Sequence, residues 1–204
     1  MEIKKNKITA IIGIDNDLNI DEENLEKDFL TGMILNEYIK DKFKNLNNEK
    51  IDEAFRICLL NSEDKMKPLN VLSSNEIEKV ELMIKLLENK DRIILSDFDN
   101  NFLEKEFNYF KALFKKMVSK YDKTVIFITN RLDNILDCID FILVVENKKV
   151  IMELSAKDIY FDKIYDYTDM PDIIDFVKTA RRKYSKLDDY IDIKELIKGI
   201  YRGV

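Results

Sequence analysis

The sequence predicts an α/β fold: a mainly parallel sheet flanked by helices, closed by a β-hairpin and followed by a helical C-terminal tail. Three observations carry this. Four short runs, Ile8–Ile14, Ile93–Leu95, Thr124–Thr129 and Phe141–Val145, are apolar at successive positions, as strands covered on both faces are. Helical apolar stripes lie between these runs, and alternation of strand and helix calls for parallel pairing. A fifth run, Val150–Leu154, follows the fourth after only Asn147-Lys148-Lys149, a spacing that fits a tight antiparallel turn.

The elements follow in chain order. Ile8–Ile14 (ITAIIGI) opens the sheet. Residues 21–62 read as wholly helical, in a long segment from Glu22 to about Leu46 and a shorter one from Ile51 to Leu60. Ile77, Val80, Met83, Ile84 and Leu87 form one stripe at helical spacing. Leu103, Phe107, Phe110, Phe114, Met117 and Tyr121 form a second. The tail from Ser155 reads as helical. Met170-Pro171-Asp172 starts a helix with Ile173, Val177, Ala180 and Tyr184 on one face. Asp192 with Glu195 opens a last helix carrying Leu196, Ile197 and Ile200.

Composition narrows the function. The 204 residues suit one α/β domain with an appendage, or two small domains. Apolar residues make up 46%, enough to bury a core. The net charge of −6 argues against general nucleic-acid binding, which wants a basic excess. The chain has no histidine, which removes Ser-His-Asp and Cys-His catalysis and every histidine metal ligand. Cys58 and Cys138 lie in apolar helical patterns and read as buried free thiols of a reducing compartment. The start carries no signal-type apolar run, and no apolar stretch approaches a membrane span, so a cytoplasmic protein is expected. The Lys/Ile/Asn/Asp bias is that of AT-rich bacterial genomes.

The informative stretch runs from Val71 to Ile151. Leu72-Ser73-Ser74-Asn75-Glu76 opens a helix, Ile93-Ile94-Leu95-Ser96-Asp97 is an apolar strand ending in a carboxylate, and Leu103-Glu104 follows. Thr129-Asn130 then closes the strand before the final hairpin. In order and spacing this block resembles the ATPase domain of ATP-binding cassette (ABC) proteins, within the P-loop NTPase superfamily. The resemblance places Leu72–Glu76 at the family's signature, Asp97 at its magnesium-binding Walker B position, Leu103-Glu104 at the D-loop and Asn130 at the switch histidine. It is good over this block and poor over the first seventy residues.

The departures from the family are chemical. Its phosphate loop needs glycines whose amides curl around phosphate, a lysine, and a hydroxyl for magnesium. Here only Gly13 remains as a vestige after the first strand. After Gly13, no lysine comes before Lys27, and no Ser or Thr before Thr31. Asp15, Asp17, Asp21, Glu22 and Glu23 stand where the polyanion would sit. Each carboxylate about 4 Å from a phosphate costs roughly 1–4 kcal/mol at surface-like dielectric. Phe98 replaces the glutamate that would align water, and Asn130 replaces the switch histidine. No catalytic residue is therefore assigned. About seven residues precede the first strand here, so the family's antiparallel β subdomain is not expected, and its glutamine loop is not recognisable.

These readings converge on residues 1–154 as a degenerate ABC ATPase-like domain with a helical insert at 21–62, and on 155–204 as a helical extension. The expected function is a non-hydrolysing pseudo-ATPase paired with an active ABC ATPase or a transporter membrane subunit. Pairing with a like or an unlike chain is left open, as is peripheral placement on the inner face of the membrane. ATP and magnesium would enter only through a partner's composite site, to which Ser73, Ser74 and Asn75 could still contribute. Alternatives are a scaffold without a nucleotide role and an ATPase with an atypical phosphate loop. Ser73 with Glu76 also reads as a plain capping box, and Asp97 as a polar strand end. The basic group Lys178, Arg181, Arg182, Lys183 and Lys186 reads as a solvated face, and Tyr160, Phe161, Tyr165 and Tyr167 as packing. The acidic stretch from Asp15 lacks the glycine and final glutamate of a calcium loop.

Overall fold

The computed structural model describes residues 3–13, 29–98, 101–185 and 187–203. Among these, one compact unit takes 3–13, 94–98 and residues from 104 onward, and the other takes 29–93 and 101–103. The described residues from 155 onward fall in the first unit with the strands, and 29–93 in the second.

The first unit is built on a five-stranded sheet of order β2-β3-β1-β4-β5. The strands are β1 (Ile8–Ile12), β2 (Arg92–Ser96), β3 (Thr124–Ile128), β4 (Phe141–Glu146) and β5 (Lys149–Ser155). β1 runs parallel to both β3 and β4, with Ala10 opposite Phe127 on one side and Ile142 on the other. β1 is buried at every position, the consequence of having neighbours and cover on all sides. β4 and β5 are antiparallel and joined by Asn147-Lys148, both at positive φ (48° and 62°). That is the signature of a two-residue turn whose twist matches its strands. The turn is one residue shorter than Asn147-Lys148-Lys149, because Lys149 already pairs with Glu146.

β2 departs from the expectation of a strand buried on both faces. Ile93 and Leu95 are buried, whereas Arg92 and Ser96 are exposed. It is the edge of the sheet, so alternate positions meet solvent. α5 (Glu104–Tyr121) packs against β3 and β1 through Phe107, Phe110, Phe114 and Met117. The ends of its expected stripe, Leu103 and Tyr121, are exposed, since a stripe loses cover where the helix overruns the sheet.

The tail is less regular than a continuous helix. Two 3-10 segments, Ala156–Tyr160 and Asp162–Asp166, precede α6 (Asp172–Arg181) and α7 (Ile193–Gly203). Ile174 and Val177 are the fully buried residues of α6. Tyr184 lies beyond the helix end and is exposed, so it is not on the packed face. The Tyr160 hydroxyl donates to the Tyr190 carbonyl at 2.7 Å, and Arg181 stacks over the Tyr160 ring while pairing with Asp189. Lys178 pairs with Asp162. Two members of the basic group therefore tie the tail to itself.

The second unit contains α1 (Leu35–Lys42), α2 (Asn48–Ile57), the single turn α3 (Ser62–Lys65) and α4 (Ser74–Leu87). The expected long helix from Glu22 to Leu46 does not form as one element. Its part before residue 29 lies outside the described residues, and 30–34 are not helical. The physical reason is competition for backbone partners. Ile34 is extended and bridges Pro68, while the Leu35 amide donates to the Lys67 carbonyl and the Leu69 amide to the Met33 carbonyl. α2 begins at the Asn47 cap and stops before Cys58, since Leu59 takes a positive φ of 56°. Cys58 is thus a buried cap residue, and Cys138 is buried in a turn segment rather than a helix; both are free thiols. In α4, Lys79 and Leu82 join Val80, Met83 and Ile84 in the buried set, while Ile77 and Leu87 are only half-buried.

Candidate functional site

The residues singled out by sequence fall into two groups, one in each unit. The first gathers where β1, β2 and β3 end, the edge at which open parallel sheets carry ligands. The Asp97 amide donates to the Ile128 carbonyl at 2.9 Å, which sets the end of β2 beside the end of β3. Asp97 itself sits at φ 47°, a left-handed conformation that aspartate tolerates better than most residues. Among the described residues, no three acidic or thiol side chains converge as a metal cluster would.

Phe98 is 4% exposed. Its ring meets Phe110 and Phe114 edge-on with centroids at 5.5 and 5.7 Å, and Phe107 tilted at 6.4 Å. Phe114 in turn meets Phe127 of β3 at 5.6 Å. The position following the Walker B-like carboxylate is therefore part of an aromatic core shared by α5 and the sheet.

Gly13 and Asn130 are brought together. The Gly13 amide donates to Asn130 Oδ1 at 3.2 Å. Thr168 Oγ1 donates to the Asn130 carbonyl at 2.8 Å. Gly13 has φ 75°, and a Cβ there would lie 3.1 Å from the Val145 carbonyl oxygen and 3.7 Å from the Tyr167 ring. Glycine is required by the backbone and by the crowding alike. Tyr167 and Thr168, which sequence reasoning did not place here, make the tail part of this corner. Thr168 and Asn130 are 38 residues apart, and no local pattern signals such a contact. Among the described residues, this corner holds the Gly13 amide on Asn130, the Thr168 hydroxyl on the Asn130 carbonyl, and Asp97 followed by the buried Phe98 ring. The acidic residues Asp15 to Glu23 and Lys27 lie outside the described residues, as do Asp99 and Asn100.

The second group stands at the start of α4. Ser73 caps the helix in a full capping box: its Oγ accepts from the Glu76 amide, and the Ser73 amide and hydroxyl both donate to Glu76 Oε2 at 2.8 and 2.9 Å. Lys67 bridges Glu76 and Asp64, which in turn closes the Asn61 box of α3. Burial pushes the Glu76 carboxyl upward, but hydrogen bonds from Lys67 and Ser73 outweigh it and hold the pKa at about 2. The Asp64 and Glu76 carboxylates hold Lys67 above its ordinary range. Ser74 is exposed, and Asn75 Nδ2 donates to the Asn101 carbonyl at 2.9 Å while Asn101 bonds Glu78. The signature-like residues and Asn101 thus form one polar rim.

No family model matches the sequence, and no curated protein matches it significantly. Solved structures do. The chain is similar to MJ0796, a bacterial ABC transporter cassette with a dimeric structure, at a TM-score of 0.59 and 16% identity, over 76% of this chain and 88% of that one. It is similar to MJ1267, a cassette in its ADP conformation, at a TM-score of 0.56 and 16% identity, over 79% and 87%. It is also similar to cbiO1 from Clostridium perfringens, part of the ABC transporter complex cbiONQ, at a TM-score of 0.54 and 16% identity, over 87% and 90%. The chain has the fold of the ABC transporter cassettes, as its motif order implies. Among the described residues, no helix is long and apolar enough to cross a membrane.

Proposed function

We propose that this chain is a non-hydrolysing, cassette-like pseudo-ATPase that acts by pairing with an active ABC ATPase or a transporter membrane subunit at the inner face of a membrane. The observation that carries this is Phe98, a core ring where the resemblance puts the water-aligning glutamate. The Gly13–Asn130 bond supports it, because the remaining glycine amide of the phosphate corner is already engaged. The dimeric structure of MJ0796 and the place of cbiO1 within a transporter complex support a paired mode of action. In the family each site lies between one chain's phosphate loop and the other's signature. A chain without its own phosphate loop can then still present Ser73, Ser74, Asn75 and Asn101 to a partner's nucleotide, and ATP with magnesium enters through that partner alone. Asp97 and Gly13 are vestigial on this reading.

Calorimetry should give an ATP dissociation constant weaker than about 1 mM with or without magnesium, and no turnover above background. A micromolar constant would overturn the reading and favour an ATPase with an atypical phosphate loop. With the co-purifying partner in hand, Ser74→Arg should weaken association or the partner's hydrolysis while fold stability changes by less than about 1 kcal/mol. One observation favours a second reading, a scaffold with no nucleotide role: the Ser73 hydroxyl donates to Glu76 of its own helix. If Ser74→Arg leaves partner binding and hydrolysis intact, the rim is only a helix cap and the scaffold reading stands.

A further inference from the structure

Among the described residues, α7 meets its unit at Leu196 and Gly199. Leu196 is buried with Val177 and Leu187, and the Tyr190 phenol stands over Gly199, where a Cβ would come within 2.0 Å of the hydroxyl. The arc that begins next to Leu196 is a different surface. Ile193, Ile197, Ile200 and Tyr201 are exposed by 63, 48, 45 and 87%. At about 100° per residue these four share one arc, with Tyr201 at its border. Continuing in the same rotation come Lys194, Lys198 and Arg202, all exposed. Lys198 pairs with Glu195 at 2.7 Å, whereas Lys194 and Arg202 have no ion-pair partner among the described residues.

The order around the helix is aliphatic, phenol, then cation. That is the order of depth at a bilayer surface, where hydrocarbon gives way to an interfacial layer that favours tyrosine and then to phosphate headgroups. Charge selects the occupant. A chain of net charge −6 is repelled by an anionic surface as a whole, so a local cationic edge beside an apolar arc decides which face approaches. We propose that α7 is an interfacial helix that docks this chain on an anionic lipid bilayer. Ile193, Ile197, Ile200 and Tyr201 enter the headgroup–acyl boundary, and Lys194, Lys198 and Arg202 meet lipid phosphates. This inference is independent of the nucleotide reading.

The test is flotation of the full chain with vesicles of phosphatidylcholine alone and with about 30 mol% phosphatidylglycerol. Binding should require the anionic lipid and weaken with salt. The pairs Ile197→Glu with Tyr201→Glu, and Lys194→Glu with Arg202→Glu, should each lower partitioning by at least about tenfold with unchanged thermal melts. Should a pair melt early, Tyr201→Ser at the most exposed position replaces it, and its partitioning should fall while its melt does not. Absence of flotation, equal flotation on neutral and anionic vesicles, or unaffected variants would overturn the proposal. So would concentration-dependent dimerisation abolished by Ile197→Glu with Tyr201→Glu in a chain that ignores vesicles, which would assign the face to a second copy.

Discussion

Phe98 follows a residue at positive φ, at the end of an edge strand, and still reaches a fully packed aromatic environment. Truncation there removes a ring from contact with three others, so Phe98→Ala should destabilise by about 3–5 kcal/mol in urea titration. Phe98→Glu should cost at least as much and yield no ATPase activity, because a carboxylate buried among phenyl rings pays desolvation without aligning water. Glu76 gives a second residue-level expectation. Its folded pKa, about 2, lies below the ordinary 4.5, so its contribution to stability is complete above pH 4.5 and is lost as pH falls toward 2. Lys67 is raised, so its contribution is complete below its ordinary pKa of 10.5 and is lost only at stronger alkalinity. Glu76→Gln should therefore lower the urea midpoint at neutral pH and flatten its decline between about pH 4.5 and 2. An unchanged acid limb would count against the Lys67–Glu76–Ser73 network.

At the scale of elements, the hairpin is the simplest lever. Lys148 occupies a left-handed conformation in a two-residue turn, so Lys148→Gly should stabilise by about 0.5–1 kcal/mol, read as a higher thermal midpoint. Strands were the most legible part of the sequence. β1, β3 and β4 announce themselves by apolar runs, and α5 by phenylalanines every three or four residues, because burial alone shapes both patterns. The long helix fails to form as one element for a reason visible at Ile34. Helical periodicity continues through residues 30–34, but backbone bonds to residues 67–70 override it, and such pairing leaves no trace in local spacing. In the candidate site, Phe98, Asn130, Gly13 and the Ser73 box were legible from motif order. The Tyr167–Thr168 contribution and the Asn75–Asn101 link depend on distant segments meeting, and residue type foretells neither.

For the molecule as a whole, the two thiols sit in different units, Cys58 in the helical one and Cys138 in the one built on the sheet. Burial pushes the Cys58 thiol well above its ordinary range and that of Cys138 up to about 12. The native chain should therefore give no rapid colour with a thiol-reactive disulfide dye, while both thiols should react promptly in denaturant. Rapid labelling of one thiol in buffer would mean that its unit opens on its own.

The aromatic core around Phe98 also bears on how substitutions here combine. With Phe107, Phe110 and Phe114 packed around the ring, a charge introduced at position 98 alone is stranded amid surfaces shaped for a ring. Position 98 is therefore locked to its neighbours as one tooth of a ratchet is to the next. On the reading proposed above, introducing hydrolytic chemistry here demands several coordinated substitutions, each harmful alone.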